Sequence, residues 1–413
     1  MQKSKFVLFT GGCVLAICLN VLAQNQNRIY GKITTVDGDE FVGLIRWDKN
    51  EASWVDILNG SKEISRERIR EARKKYRELQ RERDDSFLGI HFGRRRPSRD
   101  WSDASLSGIR FGHIQILEPT GSNRALLTLK SGAQVEFING STDIGNDIRG
   151  IVIEDENEGE IEFDWRDIER VDFMKTKSGQ HSNFGQALYG VLTTRHGDEF
   201  TGLICWDVDE VFTTDILDGS ERGRKRKIKF ADIEWIERYS SRGAALKLNS
   251  GREIVLRGSN DVDRGNRGIL VADPGFGQVR VRWNDFKRLV FQSINADFTF
   301  HDFDGGKRLY GTVYTEDDDS YTGKIRWDND EEYTWELLDG EYDDMEFDVE
   351  FGKIKSIEKE SSRAALVTIT DGRQFKLRGS NDVTDGNRGI FIEMANGGLV
   401  VVDWDDLDRV VFE

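Results

Sequence analysis

Residues 189–207 read YGVLTTRHGDEFTGLICWD, and two other stretches follow the same plan: YGKITTVDGDEFVGLIRWD at 30–48 and YGTVYTEDDDSYTGKIRWD at 310–328. Phe200, Gly202, Ile204 and Trp206 fall on one face of an extended strand, and Thr201, Leu203, Cys205 and Asp207 on the other. Such period-two alternation marks a half-buried β-strand. Asp37-Gly38, Ser131-Gly132, Ser250-Gly251 and Asp371-Gly372 supply the residue pairs that hairpin tips prefer.

A second block recurs downstream: LRGSNDVDRGNRGI at 256–269, LRGSNDVTDGNRGI at 377–390 and the looser INGSTDIGNDIRGI at 138–151. Tyr189 to Phe291 maps onto Tyr310 to Phe412 without a gap, at an offset of 121 residues. The first copy is offset by 159 residues at Tyr30 but by 119 at Ile109, so 40 residues are inserted there, at roughly 63–107. Self-similarity of this length predicts three homologous units, 28–173, 187–291 and 308–413, separated by linkers near 174–187 and 292–307.

Each unit also divides into related halves. Ile228-x-Phe230-x-Asp232-Ile233-x-x-Ile236 closes one half of unit two, and Val281-x-Trp283-x-Asp285-Phe286-x-x-Leu289 closes the other. The spacing reads as a strand, a single turn capped by Asp, and a final strand. Five short strands interrupted by one turn before the last resemble an SH3-like or Sm-like small barrel. The resemblance implies an all-β chain of three units, each built from two five-stranded barrels, with a continuous sandwich per unit as the alternative. A fold-level likeness implies no activity.

Of the 413 residues 37% are hydrophobic, ten are Trp and 32% are charged, 75 acidic against 59 basic, for a net charge of −16. An acidic chain of this kind lacks the clustered basic residues that general nucleic-acid binding requires. Residues 1–23 read as a secretory signal: Lys3 and Lys5 precede the apolar run from Phe6 to Leu22, with an exit near Ala23. An exported, periplasmic or secreted protein is expected. Ile17 stands where a lipidated Cys18 would need a small residue before it. Cleavage would take the net charge from −16 to −18 and leave Cys205 as the single thiol, so no intramolecular disulfide is expected.

Trp47, Trp206, Trp327, Trp165, Trp283 and Trp404 are in phase with the apolar strand faces and are expected in the core. Trp54, Trp101, Trp235 and Trp335 lie outside that register and are candidates for exposed stacking platforms. The loops around Asp143, Asn260, Asp261, Asn381 and Asp382 are rich in the hard oxygen donors that calcium takes. The same Asn, Asp and Gly residues are the ordinary material of turns. Cys205 replaces the Arg46 and Arg326 of its sisters, on the strand face opposite Trp206, which suggests an exposed thiol.

The five His share no repeat position, and no nucleophile elbow, phosphate-binding glycine loop or His-Glu-x-x-His motif is present. A non-catalytic protein without an obligatory cofactor is expected. The insertion reads as a helix capped by Ser65, with Ile69, Ala72, Tyr76 and Leu79 on one stripe, lying over unit one. Lys62 to Arg96 holds 13 basic and 7 acidic residues, ending in Arg94, Arg95 and Arg96, which suit an anionic partner or envelope lipid. The expectation is an exported multivalent binding or scaffold protein for an envelope or extracellular protein or glycan, with self-association through this charge contrast. A carbohydrate-binding or carbohydrate-processing accessory protein is the alternative.

Overall fold

The computed structural model describes residues 25–86, 104–138, 140–177, 179–180, 182–294 and 298–413. The expected signal, Trp101 and Arg94 to Arg96 lie outside the described residues. Among the described residues the chain is all-β apart from one helix, Arg66–Ser86, and several single 3-10 turns.

Within 28–173, Tyr30–Thr35 pairs antiparallel with Glu40–Trp47 on one side and Ile168–Phe173 on the other. Glu40–Trp47 continues to Ile151–Asp155, which pairs with Gly159–Phe163. A second set of five strands comprises Ile57–Glu63, Ala104–Arg110, Ile114–Gly121, Arg124–Leu129 and Gln134–Ile138. The sets meet where Val171 faces Leu117. Each set therefore takes two strands from one sequence half and three from the other, rather than all five from a single half. The cause is local: only Ser122 and Asn123 separate the paired residues Gly121 and Arg124. So short a turn forces the last strand of the first half against the first strand of the second, as a short hinge does in strand exchange. Ser240 with Gly243 and Ser361 with Ala364 make the same turn in the other two segments.

Among the described residues no sheet closes on itself; the ladders are a ten-stranded sheet, an eighteen-stranded sheet and a two-stranded ribbon. The closed barrels suggested by the sequence are therefore not formed by hydrogen bonding. Segments two and three share one ladder, because Gly277–Val281 pairs with Met345–Glu350. The Tyr-Gly that opens each repeat has a steric reason. A Cβ on Gly31, Gly190 or Gly311 would stand 2.6, 2.5 or 2.3 Å from a carbonyl oxygen of the neighbouring strand.

The core repeats as well. Trp47 meets Trp165, Trp206 meets Trp283, and Trp327 meets Trp404 edge-on, each with ring centroids 6.3 Å apart. All six rings are buried. Their indole N–H groups are satisfied by main-chain carbonyls, those of Asp143, Asp261 and Asp382 for the first set, and of Gly121, Ser240 and Ser361 for the second. An aromatic pair of this geometry contributes about 0.5–1.5 kcal/mol beyond its burial.

Three expectations are corrected. Trp54 and Trp335 are not surface platforms: Trp54 packs at 4.7 Å on Phe300 and Trp335 lies against Phe137. The stretch 292–307 is not a bare linker, since Phe298, Phe300 and Phe303 bury themselves in the core of segment one. The helix is capped by the Ser65 hydroxyl, which accepts from the Arg68 N–H at 3.2 Å, but it lies on segment three rather than one. Arg68 pairs with Glu332 and Glu71 with Arg326. Ile69 and Ala72 are buried. The insertion replaces a two-residue hairpin turn, Arg222-Gly223 or Asp343-Asp344 in the sisters, where positive φ values of 45° to 82° make a tight tip. The insertion leaves the pairing of Ile57–Glu63 with Ala104–Arg110 intact, and the entropic cost of closing a longer loop grows only slowly with length.

Candidate functional site

Three residues beyond each repeated Trp-Asp stands a glutamate: Glu51, Glu210 and Glu331. Asp48 and Lys49, Asp207 and Val208, and Asp328 and Asn329 all take left-handed backbone conformations, with φ between 40° and 71°. This double turn lets the Trp47 N–H reach the Glu51 carbonyl at 2.7 Å and the Glu51 N–H reach the Trp47 carbonyl at 3.0 Å. For Val208, a β-branched residue, such a φ is a true outlier. The paired main-chain hydrogen bonds between Trp206 and Glu210, at 2.8 and 3.0 Å, hold the turn in that conformation.

The Asn-Asp loops fold onto that turn. The Asp143 carboxylate accepts the Asn59 main-chain N–H at 2.7 Å, Asp261 that of Asp218 at 2.6 Å, and Asp382 that of Asp339 at 2.8 Å. Asn260 and Asn381 donate their side-chain amides to Asp207 and Asp328. Asp48 in turn accepts from the Arg149 N–H at 2.6 Å, its Nε at 3.1 Å and the Thr142 hydroxyl at 2.6 Å. The predicted contact residues Asp143, Asn260, Asp261, Asn381 and Asp382 are thus brought into three equivalent, largely buried clusters, each also holding a glutamate that the sequence reading passed over. The glutamate was legible as the last letter of a Trp-Asp-x-x-Glu motif common to all three copies.

These clusters carry more negative charge than they neutralise. Burial, then the neighbouring aspartates, pushes Glu51 and Glu331 well above the usual carboxylate range and Glu210 up to about 9. Burial also raises Asp143 and Asp261 to about 6 and pushes Asp382 well above the usual carboxylate range. One Oε2 of each glutamate is buried without a hydrogen-bond partner. In the first cluster, oxygens of Asp48, Glu51 and Asp143 all lie within 4.8 Å of one another.

Clusters one and three open onto a chamber of about 900 Å³ where the three segments meet. Its described lining holds ten carboxylate side chains and four guanidinium groups, Arg149, Arg267, Arg280 and Arg388. Asp339 and Asp348 face each other across a strand pair in its wall; burial and then Asp348 push Asp339 up to about 8, and burial raises Asp348 to about 6 while its hydrogen bond with Asp339 works the other way. Two carboxyls this close share a proton rather than ionise together. Leu203, Cys205, Val211 and Leu270 give the chamber an apolar flank. Cys205 itself is buried, which corrects the exposed thiol expected for it, and burial beside Glu51 and Asp56 pushes its thiol well up. It is the wrong microenvironment for a reactive thiolate.

Trp235 is half-buried beneath the Arg288 guanidinium, 4.2 Å from its ring, and lies outside the chamber. Among the described residues, no helix is long and apolar enough to cross a membrane. Comparison with protein-family models, curated proteins and solved structures finds no match to this chain.

Proposed function

We propose that this chain is a non-catalytic binding protein, exported and built from three related units, whose junction chamber takes a positively charged ligand of an extracellular or envelope partner. The observation that carries the reading is the imbalance of ten carboxylates to four guanidiniums around 900 Å³. Burial and the neighbouring carboxylates keep several of those carboxyls, Glu51, Glu331, Asp339 and Asp382 among them, protonated at neutral pH. An amine-bearing ligand supplies offsetting positive charge, and its entry releases protons. In this reading each five-strand set is an open, strand-exchanged relative of the SH3-like barrel, and the exchange leaves the Trp-Asp-x-x-Glu turns free to meet at the centre.

Calorimetric titration with a linear polyamine tests it. Binding is expected to strengthen from pH 5.5 to pH 8, to release protons, and to weaken at least about tenfold in a D339N/D348N variant, since removing buried charge partners costs roughly 2 kcal/mol or more. Affinity unchanged by pH and by the substitutions would discard the chamber as the binding site.

A second reading, a hard divalent cation held by Asp48, Glu51 and Asp143, is favoured by their convergence and by the unpartnered Glu51 oxygen. Calcium takes such oxygens at about 2.3–2.6 Å. Terbium luminescence sensitised by Trp47, whose indole donates to the Asp143 carbonyl, reports occupancy directly. Loss of that signal in Glu51→Gln supports the site; a signal indifferent to it removes the site. The carbohydrate alternative loses two of its four candidate platforms, because Trp54 and Trp335 are in the core. Anionic contact through Arg94, Arg95 and Arg96 stays a proposal, tested by sedimentation with envelope membranes with and without residues 64–103.

A further inference from the structure

The pairing of Gly277–Val281 with Met345–Glu350 joins an outer strand of segment two to an outer strand of segment three. Gln278 faces Asp348, and Arg280 faces Glu346. Ion pairs reinforce the junction, Arg280 with Glu346 at 3.2 Å and Arg282 with the same carboxylate. By the repeat offsets, the strand equivalent to Gly277–Val281 in segment one is Gly159–Phe163, and the strand equivalent to Met345–Glu350 in segment two is Arg224–Lys229.

Among the described residues both equivalents are edges: Gly159–Phe163 pairs only with Ile151–Asp155, and Arg224–Lys229 only with Ile216–Glu221. Glu160, Glu162, Lys225 and Lys227 are exposed. Lys225 and Lys227 make no ion pair among the described residues, and the lone partner of Glu162 is Lys49 at 3.5 Å, itself exposed. Transferring the register of the internal junction onto these edges sets Glu160 opposite Lys227 and Glu162 opposite Lys225. Directly opposed unlike charges stabilise a strand pair, and like charges disrupt it. Gly159 has the second property the junction needs. A Cβ at Gly277 would stand 1.9 Å from the Asp348 carbonyl oxygen, whereas nothing lies within 4 Å of one at Gly159.

We propose that the acidic edge Gly159–Phe163 of one molecule adds antiparallel to the basic edge Arg224–Lys229 of a second copy, in the register of the internal junction. Charge on a free edge ordinarily serves to prevent pairing. For that purpose any sign suffices at any position, and two edges of one sign would repel best. This chain instead places opposite signs at the positions that the shared register brings together, and reverses the signs used at its own internal junction, where Gly277–Val281 carries Arg280 and Met345–Glu350 carries Glu346. An edge strand adding to an edge strand gains main-chain hydrogen bonds, with the side chains setting specificity. The contact is heterologous, so it builds either a two-way exchanged dimer or a head-to-tail chain.

The test uses the mature chain in three forms, followed by sedimentation velocity over a concentration series at physiological salt. The unaltered protein is expected to self-associate. E160K/E162K makes both edges basic and K225E/K227E makes both acidic; each is expected to associate at least about tenfold more weakly, because every contact then opposes like charges. All four positions are exposed, and circular dichroism confirms that the variants keep the fold. Mixing the two variants sets a basic edge against an acidic one in both directions, and association is expected to return in the mixture alone. A monomer at all concentrations, or association that ignores both substitutions, overturns the proposal and leaves the charged edges as devices that keep the sheet from pairing. Association by the single variants without gain on mixing likewise excludes this register.

Discussion

Replacing Glu210 by Gln tests the electrostatics of the Trp-Asp-x-x-Glu clusters at the one glutamate with a defined titration point. Burial, followed by Asp261, Asp209 and Asp207, holds its carboxyl at about 9. A folded-state value above the unfolded one means that the group contributes fully below about pH 4.5 and that its contribution is lost as pH climbs through 9. The loss accrues at about 1.4 kcal/mol per pH unit, so at pH 7 the native state has given up about 3 kcal/mol relative to a neutral side chain. The residue is partly exposed, and screening reduces this to about 1–2 kcal/mol. Gln keeps the shape, never ionises, and offers its amide to the surrounding aspartates. Urea unfolding of both proteins from pH 5 to pH 9, with EDTA present throughout, should show E210Q equal to the parent near pH 5 and progressively more stable above it. A constant difference across that range, of either sign, would falsify the account, because it would mean that the carboxyl gains or loses no proton on folding.

Other outcomes follow from buried charge at the contacts between segments. Lys62 is paired with the buried Glu336, so Lys62→Met is expected to cost about 3–5 kcal/mol in thermal or urea unfolding, and K62M/E336Q to recover most of it. Burial works against ionisation of Glu350, but Arg110 at 3.3 Å and His113 outweigh it and hold the carboxyl below its ordinary value. That contribution is present above about pH 4.5 and lost on acidification, so Arg110→Met should flatten the acid limb of the stability profile as well as destabilise the protein at pH 7. Gly277→Ala places a Cβ against the Asp348 carbonyl and should open the ladder between segments two and three, read as faster amide exchange along 345–350.

Two kinds of legibility separate here. The core tryptophans could be read from sequence because strand periodicity is local: a residue in phase with Phe200, Ile204 and Trp206 points inward whatever the strand pairs with. The Asn-Asp loops could be found because they recur, but their partners could not, since Asp48 and Arg149 are 101 residues apart. Trp54 and Trp335 were misplaced for a related reason. Nothing near them in sequence foretells that Phe300 and Phe137 cover them. The chamber was beyond reach, because its wall draws on all three segments and depends on their packing angles.

By itself the sequence determined the all-β class and the inward face of the strands that carry the recurring tryptophans. These follow from side-chain alternation and turn chemistry, which act over a few residues. Only the tertiary structure decided that the halves exchange strands, that the helix lies on segment three, and that Asp48, Glu51 and Asp143 converge while Cys205 is buried. The physical reason is that strand pairing and the packing of one segment on another are fixed by contacts between residues far apart in the chain, where many partners satisfy the same local pattern and the packing of the whole molecule selects one.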